Sequence, residues 1–531
     1  MRQATQSNRN RQQVSNFISY QAPVGGWNSV DPLANMKPNE AIQLDNWYPR
    51  AGYCEIRGGS AIHAYTNGNT VYPIKTLAIY NGLNGTNKLF AFSNTGVYNV
   101  GLGGGIDGIN DNIFARTDGR HQTLMFGDGT NNYLIAVNGV DLPLYYDGTT
   151  WIGITGASSP ALTGVTTTSI NQVSIHKGRL IFGINNSLAF YYLSSGVAGG
   201  ALTKFDLSGI AQRGGYLLAM HSWSLDSGVG ADDRMVFVTS EGEVIVYQGT
   251  NPSSASSWAL VGVYYISPPL GKNCLLKVGQ DLLILTHNGL YTLSSVVSGN
   301  QINYDQAVSR KIETTFNNSA RLYGDYFGWS ITAYPTQAAL IINVPIAVDG
   351  EHHQYVMNSI TKSWCRFKGW DAECFAVFND ELYMAVTSSA GDSVVIKAWT
   401  GASDWQNNNI DAYGKTSFSY FNKPGQLKQF KMFRPVLSVN GTLDFLVDID
   451  VDFEDSEIYG TATYSVTSSA QWDVAHWDVN YWAAGLSIIK EWSSPSTWQG
   501  YCAAGKLKIS TNSLNIQWMS TDYIFENGNG L

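Results

Sequence analysis

Strand–turn–strand units recur along the first 400 residues of the chain. One runs from Asn379 to Gly401, where two apolar runs flank a turn of Ser, Gly and Asp. Two apolar runs separated by such a turn predict a β-hairpin. Comparable units lie at 88–100, 132–151, 178–196, 234–249 and 281–295. Their spacing is irregular, roughly 40–60 residues, which is the range expected for propeller blades of three or four strands.

These repeats predict an all-β fold, namely a β-propeller of six or seven blades followed by a C-terminal β-sandwich-like domain. The composition agrees with that prediction. Of 531 residues, 54 are Gly, 30 are Tyr and 16 are Trp, while charged residues make up 14%. This profile is typical of a turn-rich β protein and argues against a coiled coil or a disordered chain.

Charge and cysteine content exclude several classes of protein. The net charge is −9, so nothing global indicates a protein that binds nucleic acid by neutralising phosphates. The five cysteines are scattered and none forms a CxxC pair, which argues against a disulfide framework or a zinc site. No window approaches 18 consecutive apolar residues, and the N-terminus lacks the apolar core of a secretory signal. We therefore expect a soluble protein made in the cytoplasm.

Changes in polarity and in the hydrophobic pattern along the chain predict four segments. Residues 1–20 are polar and predict a flexible arm, and 21–70 predict a platform segment with one short helix at Pro38–Asn46. Residues 71–405 hold the repeats and predict the propeller. Residues 406–531 return to alternating strands and predict a second β domain that packs with 21–70.

No pattern of residues predicts catalysis. His352 and His353 are adjacent, so on a strand they would point to opposite faces, and a metal site there is the weaker interpretation. A glycosidase would need two facing carboxylates. The acids that cluster in sequence lie at predicted turns, namely Asp325, Asp371, Glu373 and Asp380. We expect no enzymatic activity, no catalytic residue, no cofactor and no metal.

The most regular alternation in the chain runs from Thr442 to Glu454. Apolar residues alternate with five acids, which period two would place on one strand face: Asp444, Asp448, Asp450, Asp452 and Glu454. An EF-hand loop is excluded, because Phe453 stands where glycine is required. A solvated strand face, charges compensated by nearby lysines, and a looser cation site all remain open.

Three long stretches of the chain resemble the tail nozzle proteins of short-tailed bacteriophages. They are 22–59, 355–385, and a C-terminal part that contains WDVAHWDVNYW and QWMSTDYIFENG. The resemblance implies a hexameric ring that carries a β-propeller and extends and gates the channel for DNA ejection. The implied partners are a portal-adaptor protein above and tailspikes, tail fibres or a needle below. Double-stranded DNA would pass through without specific binding.

The resemblance gives two groups of residues an expected role in the virion. The five acids would line the channel, since a negative wall repels phosphates and keeps DNA sliding. Five tryptophans would anchor the assembly: Trp27, Trp47, Trp472, Trp477 and Trp482. The alternative function is a carbohydrate-binding or carbohydrate-degrading propeller of the tail.

Overall fold

The computed structural model describes most of the chain as strands that fall into two compact units. The described residues are 15–66, 73–82, 85–106, 112–226, 231–299, 304–348, 350–387, 393–458, 462–464, 487–489, 491–495 and 499–528. Unit 1 comprises residues 1–57, 361–365 and 409–531, and unit 2 comprises residues 58–360 and 366–408. The sequence had predicted the propeller limits at 71 and 405.

Unit 2 is a β-propeller, which confirms the predicted fold class. Seven antiparallel sheets follow one another in the described part of the unit, numbered here as blades 1–7. Blade 1 consists of Ile74–Tyr80, Lys88–Ser93, Gly96–Asn99 and Phe114–Ala115. Blade 2 consists of Gln122–Gly127, Asn132–Val137, Leu144–Tyr146 and Trp151–Gly153. Blade 3 consists of Ile170–His176, Arg179–Ile184, Ala189–Tyr192 and Thr203–Asp206. Blade 4 consists of Leu217–Asp226, Ala231–Thr239, Glu243–Gly249 and Trp258–Tyr265.

Blades 5 and 6 contribute three strands each to unit 2. They are Leu275–Val278, Asp281–Thr286 and Gly289–Thr292 in blade 5, and Ser330–Tyr334, Ala339–Pro345 and His352–Asn358 in blade 6. Beside the third strand of blade 5, the Val308 N–H donates to the Leu290 carbonyl at 2.8 Å. The helices of the unit are α1 (Leu293–Gly299) and α2 (Glu313–Tyr323), with 3-10 turns at Thr167–Ser169, Tyr304–Gln306, Arg310–Ile312, Pro335–Gln337 and Trp405–Asn407. Within the described residues, no helix is long and apolar enough to cross a membrane.

Blade 7 closes the ring by combining the two ends of unit 2. Its strands Ala372–Phe378, Glu381–Thr387 and Ser393–Ala398 come from the end of the unit, and Ser60–Thr66 comes from its beginning. Ser60 pairs with Ala398 and Tyr65 with Val394 in an antiparallel ladder. The innermost strand of each blade contacts that of the next, and the innermost strand of blade 7 contacts that of blade 1. The short strand Gly104–Ile106 lies parallel to Ser60–Thr66, and Leu162–Thr163 pairs in parallel with Gly200–Ala201.

Unit 1 is a sandwich of two sheets built from both ends of the chain. One sheet has Asn16–Gln21, Trp47–Pro49, Cys54–Ile56, Lys428–Val439, Ser487–Ile489, Gln499–Gly500 and Ile516–Asn527; the other has Gly26–Trp27, Glu40–Asp45, Ile410–Thr416, Leu443–Val451, Ala462–Tyr464 and Ala503–Thr511. Strand Trp364–Phe367 runs across the sequence boundary between the units at 365 and 366. The sheets approach closely at Gly505, where a Cβ would lie 2.6 Å from the Tyr523 hydroxyl.

Two local predictions for unit 1 were wrong. Residues Glu40–Asp45 form a strand and not a helix, because they pair with Ile410–Thr416. Pairing within a sheet overrides a weak helix propensity of this kind. Within the predicted flexible arm, Asn16–Gln21 form a strand paired with Ile516–Asn527, whereas residues 1–14 lie outside the described residues.

Candidate functional site

The seven innermost strands of unit 2 surround a cavity of about 580 Å³ along the propeller axis. Each blade contributes to its wall, through segments that include 75–77, 121–124, 173–175, 219–222, 272–277, 327–332 and 373–375. The innermost strands of a propeller lie closest to its axis. Side chains that are distant in sequence therefore lie close together here. The channel is therefore a concave site that all seven blades create together.

A second cavity of about 700 Å³ lies where several innermost strands begin. We call it the channel mouth. Its wall includes 118–122, 138–140, 271–273 and 324–329, together with Tyr216 and Val348. It shares seven residues with the channel: His121, Gln122, Lys272, Asn273, Phe327, Gly328 and Trp329. The shared residues make the two cavities one continuous site.

A buried ion pair joins the first and last blades within the channel. The Lys75 ammonium, on the innermost strand of blade 1, lies 3.0 Å from a Glu373 carboxylate oxygen on the innermost strand of blade 7. Both side chains are only 2% exposed. Charges so far from water need a partner, because desolvation of an isolated ion costs several kcal/mol. The pair therefore neutralises both groups at the seam where the ring closes.

We predict that Lys75→Met destabilises unit 2 by about 3–5 kcal/mol, because it leaves the Glu373 carboxylate buried without its ammonium partner. Urea unfolding followed by tryptophan fluorescence measures this change. Lys397→Met is the matched control: its pair with Glu381 at 2.9 Å is 33% and 42% exposed, and such a solvent-accessible pair contributes at most about 1 kcal/mol. Equal losses in the two variants would show that the buried pair has no special role.

His121 lies at the junction of channel and mouth in its neutral form. The Arg116 guanidinium approaches His121 Nε2, with Nη2 at 2.9 Å and Nε at 3.2 Å. An arginine can only donate, so Nε2 accepts and the proton of the ring belongs on Nδ1. Burial lowers the pKa of His121 to about 3, and the Arg116 charge acts in the same direction. His121 is therefore a neutral structural group at physiological pH.

Two further histidines of the propeller are also held neutral. His176 lies between the Ser222 hydroxyl at 3.1 Å and the Gly249 carbonyl at 2.8 Å. Burial lowers the pKa of His176 and also that of His221, which lines the channel. Protonating any of the three would place a positive charge in a site that disfavours it.

We predict that unit 2 loses stability as the pH falls below about 6.5, the ordinary histidine pKa. Below this pH the histidines of the unfolded chain bind protons, whereas those of the folded chain stay neutral. The free energy of unfolding therefore rises with pH across this window. Urea unfolding between pH 7.5 and 5 measures the slope. His121→Gln should reduce the slope relative to the unmodified chain, since it removes the most strongly shifted group. An unchanged slope would assign the acid sensitivity to other groups.

The acids considered for a glycosidase do not gather in the channel. Glu373 is neutralised by Lys75, and Asp325 lines the mouth. Asp371 accepts the His352 N–H at 3.2 Å, and Asp380 occupies a turn with φ of 64°. Neither Asp371 nor Asp380 lines the two cavities. Among the described residues, no group of three or more His, Cys, Asp or Glu side chains is arranged to hold a metal ion.

The acidic strand of unit 1 does not present five charges on one open face. Asp444 is exposed, but Asp448 and Asp450 are each only 1% exposed. The strand ends at Val451, and Asp452 follows in a left-handed conformation with φ of 49°. There Asp452 accepts the Tyr501 N–H at 2.7 Å and the Cys502 N–H at 3.1 Å. The expectation that all five acids line a channel is therefore wrong for Asp448 and Asp450.

Two lysines explain why Asp450 is buried. Lys506 Nζ lies 2.6 Å from one carboxylate oxygen of Asp450, and Lys415 Nζ lies 2.7 Å from the other. The Ser456 hydroxyl donates to the same carboxylate at 2.5 Å. Burial alone would raise the pKa of Asp450, but these hydrogen bonds outweigh it and hold the pKa below its ordinary value. Compensation by nearby lysines, one of the open alternatives, is what the structure shows here.

We predict that Asp450→Asn destabilises unit 1 by about 3–5 kcal/mol, because two buried lysines lose their shared carboxylate. Asp444→Asn on the same strand is the control, and as an exposed change it should stay within about 0.5 kcal/mol. Because the folded pKa of Asp450 is depressed, its contribution is complete above the unfolded value and disappears as pH falls. Denaturant unfolding at pH 7 and at pH 3 tests both statements.

The tryptophans expected to anchor an assembly divide into two groups. Trp27 and Trp47 are 5% and 0% exposed, and Trp47 packs edge-on against Trp518 with ring centroids 5.5 Å apart. Both belong to the core of unit 1, where their rings are buried against residues of the same chain. Trp472, Trp477 and Trp482 lie outside the described residues.

Known proteins include distant structural neighbours of this chain. No family model matches the chain, and no curated protein matches it. Three similar solved structures are Raptor of Chaetomium thermophilum (11% identity, TM-score 0.37), BBS1N in complex with ARL6DN (11%, 0.35) and the β-propeller domain of Cps50 (Swd1) of Myceliophteria thermophila (10%, 0.36). The matches cover 64%, 66% and 64% of this chain, and 29%, 99% and 99% of those chains.

Proposed function

We propose that this chain is a structural protein of a bacteriophage virion, the nozzle of a short tail. Six copies would form a ring that extends and gates the DNA ejection channel. A portal-adaptor protein would dock above, and tailspikes, fibres or a needle would dock below. The proposal rests on the resemblance of residues 22–59, 355–385 and the C-terminal stretch to such nozzles. It is supported by the β-propeller of unit 2, a fold that the resemblance implies.

In this proposal, DNA does not pass through the propeller itself. The axial cavity measures about 580 Å³ and is walled by side chains from seven blades. A double helix, whose major groove alone is about 12 Å wide, does not fit in such a space. The conduit would therefore run between copies of the chain, along the axis of the ring.

The burial of two acids changes which residues are proposed to face that conduit. Asp444, Asp452 and Glu454 are exposed and remain candidates for a wall that repels phosphate. Asp448 and Asp450 are excluded because their charges are enclosed within unit 1. The role of the chain in this proposal is mechanical and needs no catalytic group.

Imaging of intact virions by cryo-electron microscopy tests the proposal. We expect six copies around a central channel below the portal, with Asp444 and Glu454 on the side that faces the axis. Three copies on peripheral spikes would contradict the nozzle and favour a receptor-binding component. Absence of the chain from the particle would contradict both. Six copies with these two acids facing outward would retain the nozzle and reject the acidic wall.

A carbohydrate-binding propeller is the second candidate. The channel mouth favours it through its aromatic residues Tyr216, Tyr326 and Phe327, since sugar-binding sites use aromatic faces beside polar groups. Binding of the isolated chain to host surface glycans, lost in a Tyr216→Ala variant, would support this function. Glycan binding that survives in this variant would place the sugar site elsewhere.

A further inference from the structure

Where the channel and the mouth meet, unit 2 holds a positive charge that no carboxylate pairs with. Lys272 lines both cavities. Its ammonium has no hydrogen bond, and no carboxylate within 4.0 Å, among the residues that the structure describes. The other lysines of the channel differ, because Lys75 pairs with Glu373 and Lys277 donates to the Ser224 hydroxyl at 3.1 Å.

A second cation lines the same mouth as Lys272. The Arg120 guanidinium also lines the mouth and lies over the ring of Phe327, 4.4 Å from its centroid. Burial lowers the pKa of Lys272, the charge of Asp118 raises it, and the charge of Arg120 lowers it further. Asp118 also lines the mouth, and its charge acts on Lys272 more strongly than that of Arg120; its carboxylate accepts the backbone N–H of Arg120 at 2.9 Å.

The remaining groups around Lys272 supply donors for a ligand. The side-chain amide of Asn273 lines both cavities and has no hydrogen-bond partner among the described residues. His121 is neutral, and Asp325 is the other carboxylate of the mouth. Cavities of about 580 and 700 Å³ are within the range of small-molecule sites, about 300–1,000 Å³. Low-dielectric walls strengthen the field of an uncompensated charge inside such a cleft.

We propose that this junction binds a small organic anion through a carboxylate or phosphate group held by Lys272 and Arg120. An anion between the two cations reduces their repulsion and gives the Lys272 ammonium a hydrogen-bonded partner. The Asn273 amide donates to the same group, and the aromatic wall at Phe327 and Trp329 packs against the ligand body. The site lies entirely in the propeller, so it holds whether or not the chain assembles into a tail.

Isothermal titration of the full chain with inorganic phosphate, and separately with citrate, tests the site at low ionic strength and pH 7. We expect one binding event, weakened by added salt because part of the attraction is electrostatic. Binding of only one anion identifies the group that the site prefers, and binding of both supports a general anion site. Binding of neither would overturn the proposal.

Lys272→Gln should weaken binding at least about tenfold, since it removes a charge-assisted hydrogen bond. Lys204→Gln is the matched control, because Lys204 is an exposed lysine of blade 3 paired with Asp206 at 2.9 Å. Thermal unfolding without anion checks that each variant folds. If Lys272→Gln does not fold, Arg120→Gln provides the same readout. Wild-type affinity in a folded Lys272→Gln or Arg120→Gln variant would overturn the assignment.

Anion binding should also take up protons at alkaline pH. The pKa of Lys272 is lowered in the free protein, and an anion beside it favours the charged form. The binding heat should therefore depend on the ionisation enthalpy of the buffer as the pH approaches the titration of Lys272. The other titratable groups of the mouth are Asp118, Asp325 and Arg120, together with His121, whose pKa burial lowers. Heat that does not vary with the buffer would contradict a role for Lys272.

Discussion

Closure of the propeller is the constraint on which the rest of unit 2 depends. The ring closes only when Ser60–Thr66 pairs with Ser393–Ala398, so strands more than 300 residues apart must meet. Loop-closure entropy grows only slowly with length, so this distance costs little in stability, but contacts so remote in sequence form late and slowly. The Lys75–Glu373 pair lies at the same seam, where blade 1 meets blade 7. Two interactions therefore close the ring: the strand pairing at the outer part of blade 7 and the ion pair between blades 1 and 7 in the channel.

Closure also dictates how unit 1 is assembled. Once residues 58–66 complete the last blade, the segment before them and the segment after residue 408 both belong outside the propeller. The sandwich uses both, pairing Glu40–Asp45 with Ile410–Thr416 and Asn16–Gln21 with Ile516–Asn527. The close approach of its sheets depends on Gly505, where a side chain would meet Tyr523. Asn16–Gln21 and Ile516–Asn527 are therefore part of the fold of unit 1.

The sequence was sufficient to predict the repeated hairpins, because a short turn between two apolar runs is a local signal. Every predicted hairpin lies within a blade, and most join its second and third strands. Blade 6 was not among the predicted hairpins, although the sequence IAVDGE between its strands Ala339–Pro345 and His352–Asn358 contains an Asp-Gly turn signal. The strand Glu40–Asp45 was predicted as a helix because its local propensity carries no information about its partner 370 residues later.

The candidate site was less predictable, because its residues converge only in three dimensions. Lys75 and Glu373 are almost 300 residues apart, and no local pattern marks Lys272 or Arg120 as neighbours. In the acidic strand, alternation did indicate that Phe445, Val447 and Ile449 are buried. The alternation does not predict whether the opposite face of the strand is exposed to solvent. Lys415 and Lys506 pair with Asp450. The sequence of the strand alone does not predict these partners.

The protein has few charges and encloses several of them. Besides the two buried ion networks, the Lys428 ammonium is fully buried and donates to three backbone carbonyls, those of Lys423, Gln426 and Tyr501, at 2.7–2.9 Å. Only 14% of the residues in the chain are charged, and each charge enclosed in this way leaves fewer of them on the surface. A surface depleted of charge is the kind that protein interfaces use at their centres. Large contacts between copies, as a ring of subunits would require, follow more readily from such a surface than from a highly charged one.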